Sequence, residues 1–301
     1  MAYSSITKPG DHFNTVTYTG NGSTNAITGV GFQPDWVWLK VRSAGSGQDH
    51  TLYDAVRGTT KFIESNTTDA EATGSNYLTA FGTDGFTLGN DQSHVNASSD
   101  TYVSWNWLAA GATPSQTYTV KVVSDGGNKY RFDDYGTSAV TLDLQEGGTY
   151  TFDGSDSSMA SHPIKLSETS NGTHGGGSSY NTGVTYQLDG SSVTESAYVS
   201  GYSSASSRKL IITVAASAPT LYYYCHYHSG MGGQINTNST SGSSNFAGAT
   251  QSTVSVNSTA GFSIINWAGS SSASVQTIGH GLGTTPHWIL SKNRGSGSSR
   301  S

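Results

Sequence analysis

The sequence predicts an all-β protein with more than one sandwich, and three observations carry that expectation. Glycine supplies 38 of 301 residues and charged residues only 11%, against about 7% and about 25% in average soluble chains. Ser, Thr and Asn provide the remaining polarity, which favours strands joined by Gly/Asn/Ser turns over helices. Short apolar-alternating runs such as KLIITV at 209–214 are punctuated by Gly-Gly and Asp-Gly along most of the chain, and the length suffices for two proper cores. Finally, ITGVGFQPDWVWLKVR at 27–42 recurs as IGHGLGTTPHWILSKNR at 278–294, keeping Gly29/Gly281, Gly31/Gly283, Pro34/Pro286, Trp36/Trp288, Lys40/Lys292 and Arg42/Arg294.

The first sandwich is expected over 1–112. Its strands read as FNTVTYT, the Trp36 segment, LYDAVRG, YLTAFGTDGFTLG and YVSWNWLAAG, each ended by Gly or Asp-Gly. Period-two spacing puts Trp36 with Trp38, and Trp105 with Trp107, on one face of each strand. That face is expected to be buried, since large aromatics dominate sandwich cores. The alternative is an exposed groove in which flat indoles pack on sugars.

ATPSQ at 112–116 reads as a connector, and a second sandwich is expected over 117–238. Its informative stretch is YYYCHYHSGMGG at 222–233, where the chain's single cysteine, Cys225, precedes His228 by three residues and Met231 by six. A thiolate, an imidazole and a weak thioether on one tight loop are three of the four donors of a mononuclear copper site of the His2Cys type. His162 is the best candidate for the fourth. A lone Cys is often a small buried hydrophobe, but Cys, His and Met converge here directly after an aromatic strand. His226 should face away from a site that takes Cys225, because neighbours on an extended segment point to opposite faces. His174, in NGTHGGG, reads as a solvated or hydrogen-bonding loop residue.

The Ser/Thr/Gly/Asn-rich stretch 239–260 reads as a flexible spacer, and 261–301 as an incomplete repeat of the first module. Two or three strands cannot close a core alone. The sequence therefore predicts either a longer protein or completion of that sheet by another chain.

Segment 117–238 resembles the cupredoxin family, through a His-Pro on an early strand (His162, Pro163) and a late C-x-x-H-x-x-M loop. The resemblance implies Cys225 as the strong thiolate ligand, His162 and His228 as equatorial imidazoles, Met231 as the axial thioether, and copper as the metal. A single cysteine excludes a dinuclear thiolate-bridged centre. The pieces PDWVWLK, LYDAVRG, DGFTLG and SWNWLAAG, within 13–111 and partly repeated at 262–294, resemble the concanavalin-like, SPRY-like jelly-roll modules of structural and fibre proteins of tailed bacteriophages, especially marine ones. Together the resemblances imply a jelly-roll sandwich, a cupredoxin-like Greek-key sandwich and a partial second jelly roll. They imply a virion structural or host-adhesion protein that works with other virion proteins or copies of itself, with host glycans as a further partner.

Other classes are disfavoured. A net charge of −6 gives no footprint for nucleic acid. No run approaches the eighteen or so apolar residues of a membrane span, and MAYSSITKPGDHF has neither the basic start nor the apolar core of a secretory signal. No nucleophile elbow, phosphate loop, HExxH or EF-hand sequence is present, so enzymatic activity is not expected. Two alternatives stay open: a blue-copper electron carrier, and a carbohydrate-binding surface protein using Trp36, Trp38, Trp105 and Trp107.

Overall fold

A computed structural model describes residues 6–43, 48–109, 113–238, 240–270 and 275–295, and the architecture is that of an all-β sandwich protein. Among the described residues the one α-helix is α1 (Glu195–Gly201). Backbone proximity divides the chain into two compact units, one of residues 1–111, 255–266 and 280–301, the other of 112–254 and 267–279.

The first unit contains β1 (Phe13–Thr19), β2 (Asn25–Thr28), β3 (Trp36–Val41), β4 (Thr51–Asp54), β5 (Lys61–Glu64), β6 (Ala72–Thr73), β7 (Leu78–Gly82), β8 (Gly85–Leu88) and β9 (Thr101–Trp107). These form a six-stranded sheet, β1-β9-β3-β4-β5-β6, and a three-stranded sheet, β2-β8-β7. Ile27, Phe86 and Leu88 from the smaller sheet join Val37, Leu39 and Tyr53 from the larger in one buried cluster. The tryptophans do share a face, because Trp36 lies opposite Trp107 and Trp38 opposite Trp105 in the β3–β9 ladder.

On that face Trp36 is buried and Trp38, Trp105 and Trp107 are half-buried, but it is not the face turned toward the smaller sheet. Val37 and Leu39 alternate with the indoles and occupy the side toward the small sheet, so period two places the tryptophans on the other side. There they pack across strands, with ring centroids 4.6 Å apart for Trp36–Trp107 and 6.0 Å for Trp38–Trp105. Phe262, on the strand Phe262–Trp267, stacks on Trp36 at 5.4 Å and Trp107 at 6.0 Å. Phe262 of the incomplete repeat thus packs against the first copy. A strand needs ladder partners for its N–H and C=O groups; β4 and β9 provide them to β3, whereas the matching residues 288–293 lie outside any strand. Side chains anchor this segment instead: Lys292 donates to the Thr67 carbonyl at 2.6 Å, and Arg294 holds both Glu71 oxygens at 2.7 and 3.0 Å.

The second unit contains β10 (Ser115–Ser124), β11 (Asn128–Phe132), β12 (Leu142–Gln145), β13 (Thr149–Asp153), β14 (Ile164–Ser167), β15 (Val184–Leu188), β16 (Ser191–Val193), β17 (Arg208–Thr213), β18 (Leu221–Cys225), β19 (Gly233–Asn238) and β20 (Ser243–Asn245). Two mixed sheets, β11-β10-β13-β17-β15-β16 and β12-β19-β18-β14, enclose the core. Tyrosine is abundant in it, and some of the buried phenols donate to carbonyls: Tyr118 to Ser244 at 2.9 Å and Tyr223 to Val140 at 2.7 Å.

Two expected connectors are structured. Ser115, inside ATPSQ, already pairs with Thr149 as β10 begins; Ala112 lies outside the described residues. Within 239–260, β20 pairs antiparallel with residues 252–254. Phe246 is only 6% exposed and sits among Tyr118, Phe132 and Tyr135, with centroids 5.7, 6.1 and 5.3 Å away. The polar composition misleads because these serines complete the core's hydrogen bonding, Ser244 Oγ accepting the Asp143 N–H at 2.8 Å.

Phe246→Ala is therefore expected to destabilise the second unit by about 3–5 kcal/mol. Urea unfolding followed by tyrosine fluorescence checks this. An unchanged midpoint would restore the spacer reading.

Candidate metal centre

The site is assembled by one strand pair. β14 runs antiparallel to β18 with Ile164 opposite Cys225, and the ladder continues one step as His226 N–H donates to the Pro163 carbonyl at 2.9 Å. His162 lies two residues before Ile164, so alternation returns it to the side of Cys225. Its backbone is fixed from both directions. The His162 N–H donates to Met159 O at 2.8 Å, closing a turn that Asp156 caps, and the His162 carbonyl accepts the Tyr130 hydroxyl at 2.9 Å.

His162, Cys225 and His228 form a group that can hold a metal ion, with their donor atoms all within 4.8 Å of one another. Cys225 Sγ lies 3.8 Å from His162 Nδ1 and 3.5 Å from His228 Nδ1. A metal about 2.0 Å from nitrogen and about 2.3 Å from sulfur, at an angle of about 110–120°, holds those donors about 3.5–3.7 Å apart. The two sulfur–nitrogen spacings are thus close to those that a single ion sets. Met231 follows His228 on the same loop, is 1% exposed, and belongs to the buried cluster that includes Cys225.

The surroundings are asymmetric. His162 and Cys225 are buried, while His228 is exposed and forms the solvent side. Burial first, and then the neighbouring His228, hold His162 below the usual imidazole range, which favours the neutral ring a metal needs. Tyr130 is pushed well above the ordinary phenol range by burial first and then by the nearby Cys225.

His226 projects to the other side of β18, as its position predicts, among groups that include Lys165, Glu195 and His174. His174 is a hydrogen-bonding loop residue, its Nε2 lying 3.1 Å from the Cys225 carbonyl. Trp36, Trp38, Trp105 and Trp107 belong to the other unit. Sequence reasoning missed Asn171, Lys129 and Tyr130, which touch the ligand loop, and the pairing of the buried Lys165 with the half-buried Glu195 behind β18. Only the Asn171-Gly172 dipeptide hints at its role, because Asn-Gly favours a left-handed turn.

A family model described as a domain of unknown function (DUF7483) matches residues 8–127 and 236–301, more than half of the chain. No curated protein matches the sequence. His162, Cys225, His228 and Met231 all fall in the intervening stretch 128–235.

The Glu195 cluster makes a pH prediction. Burial opposes ionisation of Glu195, but Lys165, Ser179 and Asn181 outweigh it, and its pKa falls from 4.5 to about 2. A folded pKa below the unfolded one contributes stability above pH 4.5 that is lost as pH falls toward 2. Glu195→Gln should leave the metal-free protein less stable at neutral pH, with a shallower loss across that window. Parallel slopes for the two proteins in acid titrations of the melting temperature would contradict this.

Proposed function

The chain belongs to the DUF7483 family, and from that premise we propose that it is a structural protein of virion or surface type whose second unit is a cupredoxin-like domain holding one copper ion. The observation that carries the metal reading is the His162–Cys225–His228 trio at single-ion spacing. Copper is favoured over zinc by the fourth donor. Structural zinc sites take four Cys, His or carboxylate ligands, whereas this trio has no fourth such donor among the described residues. Met231 supplies a soft thioether from the same loop, a donor that suits copper.

Bound copper supplies one-electron redox chemistry and a strong crosslink between β14 and the β18–β19 loop. The structural use is favoured by the rest of the chain. Two copies of one motif flank the candidate ligands, the earlier as a sandwich strand and the later packed against it, and such modules add nothing to electron transfer. The jelly-roll character of the first unit, and its work with other virion proteins, copies of itself or host glycans, rest on its resemblance to phage fibre modules. One observation favours the electron carrier as a second reading: the His228 ring is exposed, which gives electrons a short route to the ion.

Copper(II)-loaded protein is expected to show an intense thiolate charge-transfer band in the visible, abolished by Cys225→Ser. A colourless loaded protein, or stoichiometric zinc uptake with no copper uptake, would sink the copper reading. Because the ion binds the folded site and not the scattered ligands, loading should raise the melting temperature. His162→Ala should cancel most of that rise while the metal-free melting temperature changes little. A rise of equal size in both proteins would remove His162 from the ligand set.

A further inference from the structure

We infer that Asn171 is a positioning residue, which fixes the turn between His228 and Met231 and so sets where the last two donors stand. The inference rests on the metal reading of this site. The β14–β18 ladder places His162 and Cys225, but β18 ends at Cys225 and β19 begins at Gly233, so His228 and Met231 lie beyond its reach. Other groups hold that loop. Asn171 Nδ2 donates to Ser229 Oγ at 2.8 Å, and Asn171 Oδ1 accepts the Gly230 N–H at 2.8 Å. Lys129 Nζ donates to the Gly230 carbonyl, and the Tyr130 N–H to the Met231 carbonyl at 3.0 Å.

Among these contacts Asn171 alone grips two consecutive loop residues through one side chain, with donor and acceptor both matched. Its aim is set by its own backbone. Asn171 takes a left-handed conformation at φ 62°, where Asn is tolerated better than most residues. Gly172 follows at φ 56°, and a Cβ there would lie 2.4 Å from the Tyr224 ring. The turn is therefore pinned against β18, directly behind the ligand loop. Three residues on, His174 holds the Cys225 carbonyl, so one turn braces both ends of the Cys225–Gly230 segment. Partners that hold ligands in this way typically change metal affinity by about 10–100-fold when removed.

Asn171→Gly tests this, because glycine keeps the left-handed backbone and deletes only the amide. Asn171→Asp is the conservative control, since it retains the acceptor for the Gly230 N–H. In the metal-free chain, Gly230 amide exchange measured by NMR should speed up about tenfold or more in Asn171→Gly, with the melting temperature nearly unchanged. The copper dissociation constant, measured by competition with a chelator, should rise about 10–100-fold. Asn171→Asp should restore most of the protection. Wild-type exchange at Gly230 in the glycine variant overturns the clamp whatever the metal does. Faster exchange with unchanged copper affinity reduces Asn171 to a structural residue and overturns the positioning role. Failure of the wild-type chain to bind copper sinks the metal reading, and the exchange measurement then still decides the clamp.

Discussion

The register of β14 on β18 is the constraint on which the second unit depends. Ile164 opposite Cys225, Lys165 opposite Tyr224 and Leu166 opposite Tyr223 assign the two faces of the pair at once. One face sends Ile164, Leu166, Tyr223 and Cys225 into the core and carries His162 along with them. The other holds Lys165, which pairs with Glu195 beneath the loop that contains Asn171 and His174. A slip of one residue would exchange these faces. It would drive the Lys165 ammonium into the apolar cluster and turn His162 away from Cys225. Core burial therefore enforces the register that sets His162 and Cys225 on one side of the strand pair.

A chain with so few charges solves burial differently from an average protein. Its core is filled with tyrosine, whose rings bury area but whose hydroxyls demand partners. Backbone carbonyls meet that demand for Tyr223, Tyr130 and Tyr118, at Val140, His162 and Ser244. Each such bond ties a segment outside the two main sheets to the core. The Tyr130 bond to His162 is one of them, so the same device that satisfies a buried phenol also holds the carbonyl beside a candidate ligand.

Legibility in the sequence followed distance along the chain. Cys225 and His228 lie on one short loop, so their spacing alone announced a site. His162 is sixty-three residues from Cys225, and only the His-Pro on a strand pointed to it. The Asn171 clamp left almost no trace, because hydrogen bonds between two loops obey no sequence period. Alternation correctly placed the tryptophans on one face but carries no information about which face meets the other sheet. Composition failed at 239–260 for a related reason. It reports how polar a segment is, not whether its serines and one phenylalanine complete a neighbouring core.

The family match and the folding unit do not share boundaries, and this has a physical consequence. The unmatched stretch 128–235 contains every candidate ligand, yet β10, from the matched side, is the strand between β11 and β13. Phe246, from the other matched segment, packs against Tyr118 and Phe132. Residues 128–235 taken alone would thus lack β10, the strand that pairs with both β11 and β13, and would lack Phe246 from the cluster over Phe132. The compact unit of 112–254 and 267–279 therefore includes matched residues on both sides of that stretch. The candidate metal centre is therefore built in a stretch outside the family pattern but on a sandwich that family-matched residues help to complete, so its stability is linked to theirs.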